Sequence, residues 1–220
     1  MKRRAHGRCR GSRIAALRAC LVLIGALILL PAQPGGLRAD QEAGNRPHVV
    51  AGQWGSCYAR SVPEDRYGMR GLTEVFRVGR QPEDDVKLVS HPFFTQRLFL
   101  DCNVAGAAGQ QGPALVQLGP WARGHKPDAE TLAIAFHYGG REVRRYSTLE
   151  ISGGLPGGVS CSVSHYDVFG PVEGFRRVDG NRTLFVLTTV DGRELRFDAA
   201  TGALVETVAG RPPEPRGLCS

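Results

Sequence analysis

Methionine is nearly missing from this chain: Met1 and Met69 are the only two in 220 residues. A Met-rich copper carrier is therefore excluded. No C-x-x-C pair occurs, and beyond the first forty residues the closest cysteines, Cys57 and Cys102, lie 45 positions apart. A thiolate zinc site needs closer pairs. His48, His91, His125, His137 and His165 form no H-x-H or H-x-x-x-H spacing. Glycine-rich phosphate fingerprints between a strand and a helix are missing. There is no G-x-S-x-G elbow either, because Gly157-Gly158-Val159-Ser160-Cys161 lacks the closing glycine. Asp84-Asp85 follow Gln81-Pro82-Glu83 and read as an exposed turn rather than a buried acid/base pair. Asp179-Gly180-Asn181 reads as a turn, since the rest of a calcium loop is absent. Aromatics are only 7% of the chain, and no run of five like charges follows the N-terminal segment, so a charged interaction tail is excluded.

What remains is globular in composition. Hydrophobic residues make up 42% and charged residues 22%. The 29 Gly and 14 Pro are about a fifth of the chain, below the roughly 25–30% of low-complexity segments. The length suits one domain.

Residues 1–39 read as an address. Lys2, Arg3, Arg4, Arg8, Arg10, Arg13 and Arg18 precede an apolar run from Ala19 to Leu30, then Pro31. That run falls short of the about 20 residues of a membrane helix and matches a secretory signal peptide. Ala39 and Ala32 are both candidate cleavage positions. Arg18, close to the apolar core, argues against an uncleaved anchor. Arg3-Arg4 hints at twin-arginine export, but the surrounding residues lend it no support. Cys20 precedes the apolar core, where a lipid-attachment cysteine would follow it. The segment holds eight Lys/Arg and no Asp/Glu, which leaves 20 basic against 21 acidic residues in the remainder. The precursor pI of about 9.4 thus belongs to the address. No basic footprint for nucleic acid survives, and membrane contact is expected only during export.

Cys57, Cys102, Cys161 and Cys219 remain after Cys9 and Cys20 are set aside. An even number in an exported chain predicts two disulfides, with three pairings open. One at Cys219 would pin the Pro-rich tail, residues 209–220. Residues 40–48 read as a flexible lead-in and 49–208 as a single β domain.

Within that domain the pattern has period two. Ser56–Val62, Leu72–Val78, Gln96–Cys102, Ala114–Leu118, Leu132–Tyr138 and Val159–Phe169 are strand-like runs between turn residues. Val104–Pro113 and Gly153–Gly158 read as loops, and Asp128–Ala133 as one helical turn at most. Some ten to twelve short strands predict an all-β fold, an antiparallel sandwich or barrel-like domain built from hairpins. Leu132–Thr148 aligns without gaps on Leu184–Ala200, with Gly140-Arg141-Glu142-Val143-Arg144 over Gly192-Arg193-Glu194-Leu195-Arg196. Both segments read as hairpins. A repeated propeller-like module needs more chain than is present, so shared turn chemistry is the preferred account.

Function is expected to be binding. Trp121 lies in a loop beside Arg123, a pairing suited to stacking on a sugar or a peptide. Tyr58 and Arg60 share one face of their strand, with Cys57 and Ala59 on the other. The leading expectation is an exported, periplasmic protein that binds an envelope protein or a polymer, without a cofactor. Heavy use of Arg, 25 of the 28 basic residues, leans it toward a bacterial envelope. Two alternatives stay open: an exported hydrolase using His165 and Asp167, which share a strand face, and a metal-binding module using His137 and His165.

Overall fold

The structure is a computed structural model that describes residues 43–106, 109–154, 159–162, 164–178 and 182–210. The expected signal peptide, residues 40–42 of the lead-in, Cys219, the tail from residue 211 and the Asp179-Gly180-Asn181 turn lie outside these residues.

The described chain is antiparallel β nearly throughout, in four sheets. Sheet I holds β1 (His48–Ala51), β2 (Cys57–Pro63), β3 (Gly71–Arg77) and β4 (Val86–His91) in sequence order. Sheet II holds β5 (Leu98–Ala105), β6 (Gln111–Leu118), β8 (Leu132–Tyr138) and β9 (Arg141–Ser147). A small sheet III orders β10 (Ser160–Cys161), β11 (His165–Asp167) and β7 (Ala122–Arg123). Sheet IV holds β12 (Phe169–Val178), β13 (Arg182–Thr189), β14 (Glu194–Asp198) and β15 (Leu204–Val208). These strand orders are open, so no sheet closes into a barrel, and three four-stranded sheets replace the two of a simple sandwich.

Sheet II is the middle layer. Leu98, Leu100 and Leu115 on one face join Cys57, Ala59 and Val75 of sheet I in a small core. Val116, Ile134 and Phe136 on the other face join Phe185, Leu187 and Phe197 of sheet IV in the larger one. This explains two sequence patterns. Strand β2 alternates because one face meets solvent: Cys57, Ala59 and Ser61 are buried, while Arg60 is exposed. Strand β8 does not, and Ala133 through His137 are all buried. A strand covered on both faces loses the polar half of its alternation.

Three expectations need correction. The helical turn is not at Asp128–Ala133, where the Asp128 carboxylate accepts the Glu130 and Thr131 N–H groups in a side-chain turn. It is α1, Thr148–Ser152, opened by a capping box in which Ser147 and Glu150 bond each other's backbone N–H. The Val104–Pro113 loop is shorter than expected, because β5 runs to Ala105 and β6 begins at Gln111. The third concerns the two similar segments. Both are hairpins, but β8–β9 fill the third and fourth places of sheet II, and β13–β14 the second and third of sheet IV. Their turns differ too. Gly139 and Gly140, at φ 57° and 87°, make a two-residue turn, which requires positive φ at both positions. The other turn is longer, and the Thr189 N–H donates to the Arg193 carbonyl across it.

One disulfide lies wholly within the described residues, Cys57–Cys102, tying β2 of sheet I to β5 of sheet II. Cys161 is disulfide-bonded as well, its partner falling outside them.

Candidate binding cleft

The link from β6 to β7 carries the site. The Gly119 N–H donates to the Ala133 carbonyl at 2.7 Å. A Cβ at this glycine would fall 1.8 Å from the Leu132 carbonyl oxygen, so no other residue fits. Arg97, just before β5, donates from Nη2 to the Gly119 carbonyl at 2.8 Å. Pro120 follows, and the chain then presents Trp121 with 40% of its surface exposed.

The Trp121 indole is backed rather than free on both sides. It stacks on the His165 ring, centroids 4.9 Å apart and planes 20° from parallel. His165 is held by the pairing of β11 with β7, which sets it across from Arg123. Its Nδ1 lies 2.9 Å from the Ser164 hydroxyl, while its buried Nε2 has no hydrogen-bond partner. Arg97 donates to Asp167 Oδ2 at 2.9 Å, and the Phe169 N–H donates to Oδ1. The guanidinium also lies over the Phe169 ring at 5.5 Å. Beside these groups opens a cleft of about 180 Å³, lined among others by Asn45, Met69, Phe94, Gln96, Arg97 and Trp121.

The fold thus gathers Trp121, Arg123, His165 and Asp167, which sequence reading had divided between binding and catalysis. The Asp167 carboxylate is occupied by Arg97 and a backbone N–H rather than orienting His165, and His165 serves as a stacking partner. His137 and His165 do not come together: His137 packs on His91 and Phe93, at 4.8 Å from each, with Gln117 beside its Nε2. Tyr58 and Arg60 sit on the outer face of sheet I, as expected, and belong to a separate surface. Tyr58 stacks on Phe76 at 5.2 Å and donates to Asp85 at 2.8 Å. Asp85 also accepts the Gly79 N–H, so it anchors a turn rather than standing free. Those two bonds hold its carboxyl below the usual range, and the carboxylate pushes the Tyr58 hydroxyl up.

Arg97, Asn45 and Phe94 escaped sequence reading. Nothing in the residues around each sets it apart, and only the packing of sheet I beside the β6–β7 link brings them to the indole. No family model, no curated protein and no solved structure matches this chain.

Proposed function

We propose that this is an exported, periplasmic β-rich binding protein that holds one unit of an envelope polymer, a sugar ring, against Trp121. The stacked Trp121–His165 pair at the edge of the cleft carries this reading. An indole immobilised on one face offers the other to a flat ring without further loss of rotamer freedom, which is what preorganised binding needs. A sugar's C–H face suits the indole, and the Gln96 amide and Asn45 Oδ1, whose own Nδ2 donates to the Asp65 and Gly68 carbonyls, are the groups that pair with hydroxyls. At about 180 Å³ the cleft is smaller than the roughly 300–1,000 Å³ of enclosed small-molecule sites. That favours one unit of a chain running across the surface over a free metabolite.

The Cys57–Cys102 bridge supports an oxidising compartment, and hence export through the segment 1–39. We infer that Cys219 pairs with Cys161 and so ties down the Pro-rich tail.

Co-sedimentation with purified peptidoglycan sacculi, and titration with a soluble chito-oligosaccharide, test the reading. Wild-type protein should bind. Trp121→Ala should lose about tenfold or more in affinity, in line with the about 1–3 kcal/mol of aromatic stacking on a ring. His165→Ala should lose less, since it acts only by holding the indole. Binding that is absent, or indifferent to Trp121→Ala, would sink the polymer reading and leave an envelope protein as the partner to seek.

A further inference from the structure

The contact between sheets I and II holds a pair of buried histidines that the cleft does not use. His91, at the end of β4, and His137, at the end of β8, are each 4% exposed. Their rings meet edge to face at 4.8 Å, and Phe93 packs against both. His137 Nε2 lies 3.3 Å from Gln117 Oε1, which makes it the protonated nitrogen, and Nδ1 is then a bare lone pair. That Nδ1 is buried without a partner. A second proton would therefore create an N–H with nothing to accept it.

The acid that would favour a cation at His137 is already engaged. Glu142 on β9 is the strand partner of His137, but Arg145 already holds its carboxylate through two bonds of 2.7 Å. From β6 comes only neutral Gln117. From β3 comes Thr73, opposite His91. Glu74 and Lys87 pair with each other, and Glu74, next to Thr73 in the strand, points to the other face. His48 lies edge-on to Phe94, beyond the pair. Burial pushes the pKa of both imidazoles down, that of His137 to about 4, with the neighbouring His91 adding to the effect.

The pair also sits where the molecule is least reinforced. Among the described residues, six buried apolar ones join sheet I to sheet II, against nineteen in the core shared by sheets II, III and IV. On sheet I the Cys57–Cys102 bridge is set apart from the row of strands that carries His91. Cys57 pairs with Arg77, and Ser61 with Thr73, so the bridge is four residues away along β2, about 13 Å.

We propose that the His91–His137 pair is an acid-sensitive latch: mild acid opens sheet I away from sheet II on the Cys57–Cys102 bridge, while sheets II and IV stay packed. The unlatched form has two imidazoles at their ordinary pKa. It therefore takes up protons as the pH falls below about 6.5, whereas the latched form takes them up only at lower pH. Closure is thus complete above that pH and weakens progressively toward pH 4. Opening would also disturb Met69 and Phe94, two residues that line the cleft, so acid would release the ligand. That consequence rests on the cleft being the binding site; the opening itself does not.

Amide hydrogen exchange of the full chain without ligand, at pH 7 and pH 5 and corrected for intrinsic rates, tests the latch. Protection over residues 71–91 should fall at least tenfold at pH 5, with residues 182–189 unchanged. The double variant His91→Phe/His137→Leu should abolish the difference. Should that variant not fold, NMR titration of the wild-type imidazoles decides: His137 must stay neutral in the closed form at pH 5, and His91 must titrate below its ordinary range. Protection that ignores pH, simultaneous loss in both sheets, or rings that titrate normally while closed would each overturn the latch.

Discussion

Trp54 stands at φ 135°, in a region of backbone space that glycine alone enters cheaply. It sits in the turn between β1 and β2, and 67% of its surface is exposed. Its neighbour holds the turn in place: the Gln53 N–H donates to Leu100 O at 3.0 Å, and its side chain to Phe175 O at 2.9 Å. The Arg177 guanidinium lies 5.5 Å from the indole centroid. Such strain costs about 1–3 kcal/mol, and an exposed cation–π contact returns about 0.5–1. Trp54→Gly should therefore stabilise the protein by about 1 kcal/mol, read as a higher urea midpoint at constant slope. A lower midpoint would mean that the ring's contacts outweigh the strain. None of this was legible in the sequence, where Gln53-Trp54-Gly55 is an ordinary turn. The same holds at the cleft: Trp121 stood out as a loop aromatic, but its partner His165 is 44 residues away and looked like a catalytic candidate.

Among the elements, α1 shows how local chemistry can outrun periodicity. Five residues are too few for a helical repeat to register, yet Ser147-Thr148-Leu149-Glu150 carries the S-x-x-E signature of a capping box. The box matters because α1 buries Thr148, Ile151 and Ser152. The Thr148 hydroxyl also meets the Tyr166 hydroxyl at 2.9 Å, next to His165. Ser147→Ala should cost about 1 kcal/mol in urea unfolding, and Ser147→Thr much less. A cost near zero for Ser147→Ala would show that packing alone holds the helix. Strands β2, β3 and β8 were legible almost to the residue, since their apolar runs are bounded by turns. Strand β4 was not: Val86-Lys87-Leu88-Val89-Ser90-His91 interrupts its own alternation, and the ladder with β3 carries a bulge at Val75/Phe76.

For the molecule as a whole, the Cys57–Cys102 bridge crosses the weaker of the two inter-sheet contacts. It closes a loop of 45 residues, for which the chain-entropy account gives about 4 kcal/mol. Cys57→Ala/Cys102→Ala should lower stability by about 2–4 kcal/mol. The loss should fall first on sheet I, as faster amide exchange over residues 57–91 than over 182–189. Uniform loss across both segments would mean that the sheets unfold together and that sheet I has no independent opening.

Composition and period two were enough to determine an all-β chain, because alternating burial is written into the residues of any sheet with one wet face. The turn glycines likewise announced the hairpins at Gly139-Gly140 and Asp191-Gly192. Which faces meet was decided only by tertiary structure. The stacking of sheet II between sheets I and IV, the pairing of His91 with His137 and the seating of Trp121 on His165 all join residues from separate strands or loops, distant in the chain. No local pattern records such contacts: a buried histidine carries the same letter whether it latches two sheets, backs an indole or activates a serine.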